Sequence, residues 1–330
     1  MKEIVGDVSG NGLHRRGEAV LVDDLLLELP ARQTRSSVVP SGFEPLDEAL
    51  GGGLRTGTLT LLSGLPGVGK TILAMQWARR VAGGGAGAMY VCYEHDEATM
   101  LGRLLLSELG DLAAAEGSGS TRDIRALLWA LANGEIELGE AAAGNLLVRA
   151  AHARVREYAK DMWLQAASGS RTGLDDIRAH LDAYGRERAV LFVDYLQKVP
   201  VAPSVAAVAL KDMAVDFDVA VVAVVAGAEA SLAHRRVRAQ HLDSAAALTY
   251  EADTILIVNE KYAAVSKRHT AYDPVRAEGF KRQVVVSIEK NRSGPAGINL
   301  EFEKDFVHYR FHPKGGYVEE SLIDDLIFTD

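Results

Sequence analysis

The 330-residue chain has a single cysteine, Cys92, so no disulfide can form within it, which fits a reducing compartment. Cys92 falls inside the apolar run Met89–Tyr93, where a buried, inert thiol is expected. No apolar run is long enough to span a bilayer, and Met1 to Arg16 carries no signal-peptide core. The chain therefore reads as cytoplasmic, with no membrane partner. A basic excess is also missing: the net charge is −9, which excludes a general nucleic-acid coat but not a small basic channel in an assembly. No internal repeat is visible. What remains is an ordinary globular composition, 48% hydrophobic and 25% charged, long enough for one large α/β domain.

Apolar runs without polar alternation recur along the chain: Thr58–Leu62, Met89–Tyr93, Ala189–Val193, Val219–Val225, Thr254–Val258 and Gln283–Glu289. Helical patterns separate several of them, at Lys70–Ala82, Asp96–Leu109, Leu174–Tyr184 and Val205–Val215. A short strand is read at Trp163–Gln165, and Leu300–Glu303 with Val307–Phe311 reads as a C-terminal β-hairpin. This order predicts an α/β fold, a mostly parallel sheet with helices on both faces. Two segments stand apart. Residues 1–35 hold an amphipathic pattern at Glu18–Leu29 before a linker, and its apolar face needs either its own core or a neighbouring subunit. Residues 36–330 form the main domain, with an alanine-rich helical insertion at about 111–160.

Gly64-Leu65-Pro66-Gly67-Val68-Gly69-Lys70-Thr71 follows a strand and opens a helix. That is the phosphate-binding GxxxxGK[ST] loop in its expected setting, with backbone amides turned inward and a helix N-terminus behind them. The spacing assigns Gly64, Pro66, Gly67, Val68 and Gly69 to the cradle. Lys70 falls to the β- and γ-phosphates of ATP, and Thr71 to Mg²⁺. Asp194, emerging from a fully apolar strand, is expected at the metal through a water. Glu94, closing the strand Met89–Tyr93, is expected to orient the attacking water.

Several stretches together resemble the RecA-like ATPase domain of the DnaB-type replicative helicases. They are Val39–Asp47 with Gly51–Leu54, the run "YVCYEHDEATMLGRL", the run "VLFVDYLQKV" with its Asp-Tyr-Leu-Gln core, and "KNRSGPAG" at Lys290–Gly297. The resemblance covers roughly residues 36–312 and implies a RecA-like P-loop NTPase core, assembled as a hexameric ring with ATP between subunits. By position it implies that Lys290 and Arg292 act on the neighbouring subunit's γ-phosphate, and that Glu18–Leu29 is a linker helix docked on an adjacent copy. The chain departs from the family in three places. No separate N-terminal domain is expected before residue 18, the connection Pro200–Ser204 is short and uncharged, and Ala226-Gly227 stands where a polar phosphate sensor is usual. Arg235, Arg236 and Arg238 lie where a second channel loop would run, and are read either as single-stranded DNA contacts or as solvated or salt-bridged residues. Two uses of ATP follow: translocation on DNA, or the assembly or remodelling of a complex with an unidentified protein partner.

Overall fold

The computed structural model describes residues 37–116, 137–186, 188–242, 245–266, 268–269 and 273–323, with a few single positions besides. The chain divides into two units, 1–36 and 37–330. Apart from Val22, the expected helix Glu18–Leu29 lies outside the described residues, as does much of 117–136 in the expected insertion.

The strands in chain order are β1 (Val38–Val39), β2 (Leu54–Arg55), β3 (Leu59–Gly64), β4 (Gly87–Cys92), β5 (Met162–Ala166), β6 (Ala189–Asp194), β7 (Ala220–Ala226), β8 (Thr254–Glu260), β9 (Gln283–Asn291), β10 (Ile298–Asp305), β11 (Arg310–Phe311) and β12 (Gly316–Tyr317). Among the described residues the main sheet has ten strands, in the order β11-β10-β9-β8-β3-β7-β6-β4-β5, with β12 paired to β10. From β8 to β5 every pairing is parallel; β9, β10 and β11 add on antiparallel. The helices are α1 (Glu44–Ala49), α2 (Lys70–Gly83), α3 (Glu97–Glu116), α4 (Leu138–Gly144), α5 (Leu146–Tyr158), α6 (Leu174–Tyr184), α7 (Pro203–Asp216), α8 (Ala245–Glu251), α9 (Lys261–Ala264) and α10 (Pro274–Phe280).

The unbroken apolar strands are buried because helices cover both faces of the sheet. Strand periodicity sorts their side chains into two cores. Leu62, Val190, Phe192, Val222 and Val224 join one layer with residues of α2, α3 and α5. Leu59, Leu61, Leu191, Val193, Val221 and Ala223 join the other with residues of α6 and α7. A fully buried Leu or Phe contributes about 1.5–3 kcal/mol, which adds to the backbone ladders that join these short strands.

Several boundaries differ from the sequence expectation; of the strand expected at Val307–Phe311 only Arg310–Phe311 is extended, after a 3-10 turn at Phe306–His308. The helix read as Asp96–Leu109 runs on to Glu116, because the alanines that follow Leu109 are good helix formers. Its start is capped by Asp96, whose Oδ1 accepts from Thr99 N at 2.7 Å. Strand β4 stops at Cys92, so Glu94 lies in the bend beyond it rather than at the strand end. No described helix is long and apolar enough to cross a membrane.

Candidate functional site: the carboxyl edge of the sheet

Strand register brings the predicted groups together. Gly64 pairs with Ala226, Asp194 with Val224 and Cys92 with Asp194, so β3, β7, β6 and β4 end side by side at one edge. Ligands of open α/β sheets sit beyond such an edge. A cleft of about 350 Å³ lies there, lined by Pro66, Gly67, Gly69, Lys70, Thr71 and Glu94 among others.

The loop from Gly64 to Thr71 has the backbone that a phosphate cradle needs. Gly69 caps α2 in the left-handed region (φ 98°), and a Cβ there would fall 2.7 Å from ring carbons of Phe306 and Phe311. A Cβ on Gly64 would fall 2.2 Å from Val258 O. Lys70 Nζ folds over the loop and donates to Gly64 O and Leu65 O, both at 2.9 Å. Burial lowers the Lys70 ammonium from its ordinary value, while the charges of Asp194 and Glu94 oppose that shift.

Asp194 is 1% exposed. Its Oδ2 accepts from Tyr90 Oη at 2.7 Å, while its Oδ1 is buried with no hydrogen-bond partner among the described residues. Burial raises its carboxyl above the usual range; the hydroxyls of Tyr90 and Thr71 pull it back, the Glu94 charge pushes it up, and Lys70 pulls it down. A buried acceptor without a donor, beside a threonine hydroxyl and a lysine, fits a hydrated Mg²⁺ held by Thr71 and, through water, by Asp194. Glu94 is exposed to the cleft, and the Tyr195 phenol hydrogen-bonds to it.

The structure adds residues that the sequence reading did not single out. Phe306 and Tyr309, in the turn between β10 and β11, line the same cleft and give it an aromatic wall. Gln76, buried in α2, holds that turn in place: it donates to Phe311 O and accepts from Phe311 N, each at 2.8 Å. Arg103 of α3 also lines the cleft, its guanidinium 4.7 Å from the Tyr309 ring centre. It is the one cation among the apolar Met100, Leu101, Leu104 and Leu105, which is a signal that the sequence did contain.

Lys290 and Arg292 lie elsewhere. Asn291 pairs with Thr254, and Thr254 with Thr60, at the amino edge of the parallel strands; Gly64 pairs with Val258 at the other end. About 13 Å of strand separates the two edges. Arg292 donates to Asp253 Oδ1 (3.2 Å) and to Tyr250 O, and Lys290 to Thr249 O (2.6 Å).

The three arginines, read either as single-stranded DNA contacts or as solvated or salt-bridged residues, do not form one exposed cluster. Arg236 is 3% exposed and donates to Ile323 O at 2.8 Å and Asn299 Oδ1 at 3.3 Å. Arg238 is ion-paired with Glu289. Arg235 is exposed. The flanking apolar Val237 is fully buried, so the turn that buries it carries Arg236 inward as well.

With this geometry, the match of residues 38–311 to the model of the DnaB-like helicase C-terminal domain decides the family. The chain belongs to the DnaB-like helicase C-terminal domain family. The solved ATPase domain of G40P superposes with a TM-score of 0.66 at 19% identity, over 89% of this chain and 99% of that one. A DnaB-like replicative helicase, described with its interactions with primase, gives 0.65 at 19%, over 89% and 67%. These two share the fold. Among curated proteins, the DNA repair protein RadA of Mycobacterium tuberculosis is 47% identical over 60 residues, 18% of this chain and 12% of that protein. The DNA repair and recombination protein RadB of Halobacterium salinarum is 39% identical over 80 residues, 24% and 34% respectively. The chain thus spans well under two thirds of these relatives. Its family and fold are therefore those of the DnaB-like helicase C-terminal domains.

Proposed function

We propose that this DnaB-like chain hydrolyses ATP in a head-to-tail homo-oligomeric ring, hexameric as in its family, with each site completed by the next copy. One observation carries the reading: the P-loop, Glu94 and Asp194 occupy one edge of the sheet, while Lys290 and Arg292 occupy the other. Cations placed so cannot serve their own nucleotide and are suited to a neighbour's. Head-to-tail contacts of this kind close into rings.

In each site the loop amides and Lys70 hold the phosphates, and the faces of Phe306 and Tyr309 can stack the base. Thr71 and, through a water, Asp194 would hold Mg²⁺, which would supply charge neutralisation at the phosphates. Glu94 orients the attacking water, and Arg292 of the adjoining copy stabilises charge on the transferring phosphoryl group.

For the use of that energy, single-stranded DNA is the first track to test. The names of RadA and RadB point to DNA repair, and Arg235 is exposed on the segment after β7. The second reading, ATP-driven remodelling of a protein complex, is favoured by the internal ties of Arg236 and Arg238. It also gains from the exposed Val201, Val205 and Val208 at the start of α7.

Steady-state ATP turnover with and without single-stranded DNA, at low and moderate salt, separates the two. Glu94→Gln is expected to lose about 100-fold or more in turnover while still binding ATP. DNA stimulation that fades with salt and with Arg235→Ala supports the translocating reading. Turnover indifferent to DNA supports the remodelling one, and a Glu94→Gln variant as active as wild type would sink the assigned chemistry.

A further inference from the structure

Strand β9 is irregular just before its functional end. Ile288 pairs with Leu256 and Lys290 with Ile255, so Glu289 is an extra residue without a partner on β8. Such a bulge bends the strand and re-aims the side chains that follow. Here the residues that follow are Lys290, Asn291 and Arg292.

The Glu289 side chain is only 8% exposed, and its carboxylate receives Arg238 Nε. Arg238 is itself firmly mounted. Its backbone N donates to His241 Nδ1 at 3.1 Å, and the adjacent Val237 exchanges two hydrogen bonds with the Asn259 side-chain amide, at 2.7 and 3.0 Å. The other flank of the same strand end is held by the last carbonyls of α8, Thr249 O and Tyr250 O, and by Asp253. Asp253 is anchored in turn by Lys211 Nζ at 2.7 Å and Leu59 N at 2.8 Å. Contacts from the stretch 238–253 therefore grip the cation-bearing end of β9 from two sides. A buried carboxylate deprived of the Arg238 guanidinium would turn outward or take up a proton, and the bulge would relax.

We propose that the Arg238–Glu289 ion pair is a brace that fixes the bulge and thereby the aim of Lys290 and Arg292, making Arg238 and Glu289 positioning residues for hydrolysis. The proposal rests on the reading that Lys290 and Arg292 act on a neighbour's nucleotide. Arg238 then serves the reaction from inside the chain rather than as a polyanion contact.

The test uses the full chain and four variants: Glu289→Gln, Arg238→Met, the double variant and Arg238→Lys, with Arg292→Ala as control. kcat and KM for ATP are measured alongside the Kd of a fluorescent ATP analogue. Misaiming a catalytic group by about 1 Å costs up to about 100-fold. Each single variant is therefore expected to lose at least about tenfold in kcat, with KM and analogue Kd within about twofold. Because the pair acts as a unit, the double variant should be no worse than either single one, and Arg238→Lys should recover part of the rate. Single variants at wild-type kcat, or losses that simply multiply in the double variant, would overturn the brace. Lost analogue binding in the double variant, which strands no charge, would mark the pair as a fold contact and overturn it too. An Arg292→Ala variant with full activity would instead defeat the trans reading itself, whereas a dead Arg292→Ala beside a fully active Glu289→Gln defeats the brace alone.

Discussion

At Asp305 one carboxylate fixes the turn that carries the aromatic wall. Burial alone would raise its pKa. Hydrogen bonds and charge from His308 Nδ1 (2.8 Å) and Arg310 Nε (2.8 Å) outweigh burial and hold it at about 2, below the ordinary 3.8. Arg310 continues to Asp111, which also binds Arg79 at 2.7 Å, so the turn is tied to α2 and α3. A depressed carboxylate contributes stability that is fully present above its unfolded value and is lost as pH falls through its folded one. The contribution of Asp305 should therefore fade between about pH 4 and pH 2. Urea midpoints at pH 6, 4 and 3 are expected to fall less steeply for Asp305→Asn than for wild type; parallel curves would deny the ion pair that role. The P-loop residues and Asp194 were legible in the sequence because their spacing and strand ends are local features. Arg238 was not, since its partner Glu289 is far along the chain and only the fold brings them together.

At the scale of elements, the stretch 259–282 had no reading in the sequence, and the structure gives it one. Four of its apolar residues, Ala264, Val265, Ala277 and Phe280, pack with Val285 of β9 and with Leu322 near the end of the described chain. Lys261 is buried at 2% exposure, pairs with Glu301 and with Glu320 (3.0 Å), and lies 4.6 Å from the Phe280 ring centre. Ser266 N donates to Ser321 O and Ile323 N to Ala264 O, so residues 320–323 strap this small core shut. Removing one member of a buried ion pair strands the other charge. Lys261→Ala is therefore expected to cost about 3–5 kcal/mol in a urea unfolding experiment, well beyond a surface substitution. A change under about 1 kcal/mol would show that Glu301 and Glu320 do not need it. Strands such as β4, β6 and β7 were easier to read than this region because they carry the runs Met89–Tyr93, Ala189–Val193 and Val219–Val225, apolar throughout. α9 and α10 are short and gain their burial only from distant residues.

For the whole molecule, the division of the site between two edges makes a prediction about mixtures. On the proposed function, Lys70→Ala chains would lack the phosphate lysine and Arg292→Ala chains the guanidinium offered to the neighbour, so each alone should be inactive. Mixed in equal amounts before assembly, about a quarter of head-to-tail junctions would join an intact P-loop to an intact Arg292. ATP turnover should return in the mixture; its absence would place Arg292 outside the neighbour's site. The sequence by itself determined the α/β class, the phosphate loop, the acids around it and the DnaB-like family, because those depend on local spacing and on continuous apolar runs within the strands. Only the tertiary structure decided that Lys290 and Arg292 face away from their own P-loop, that Phe306, Tyr309 and Arg103 wall the cleft, and that Arg236 and Arg238 are engaged inside the chain. Those facts depend on strand register and on contacts between distant residues, which spacing along the chain does not encode.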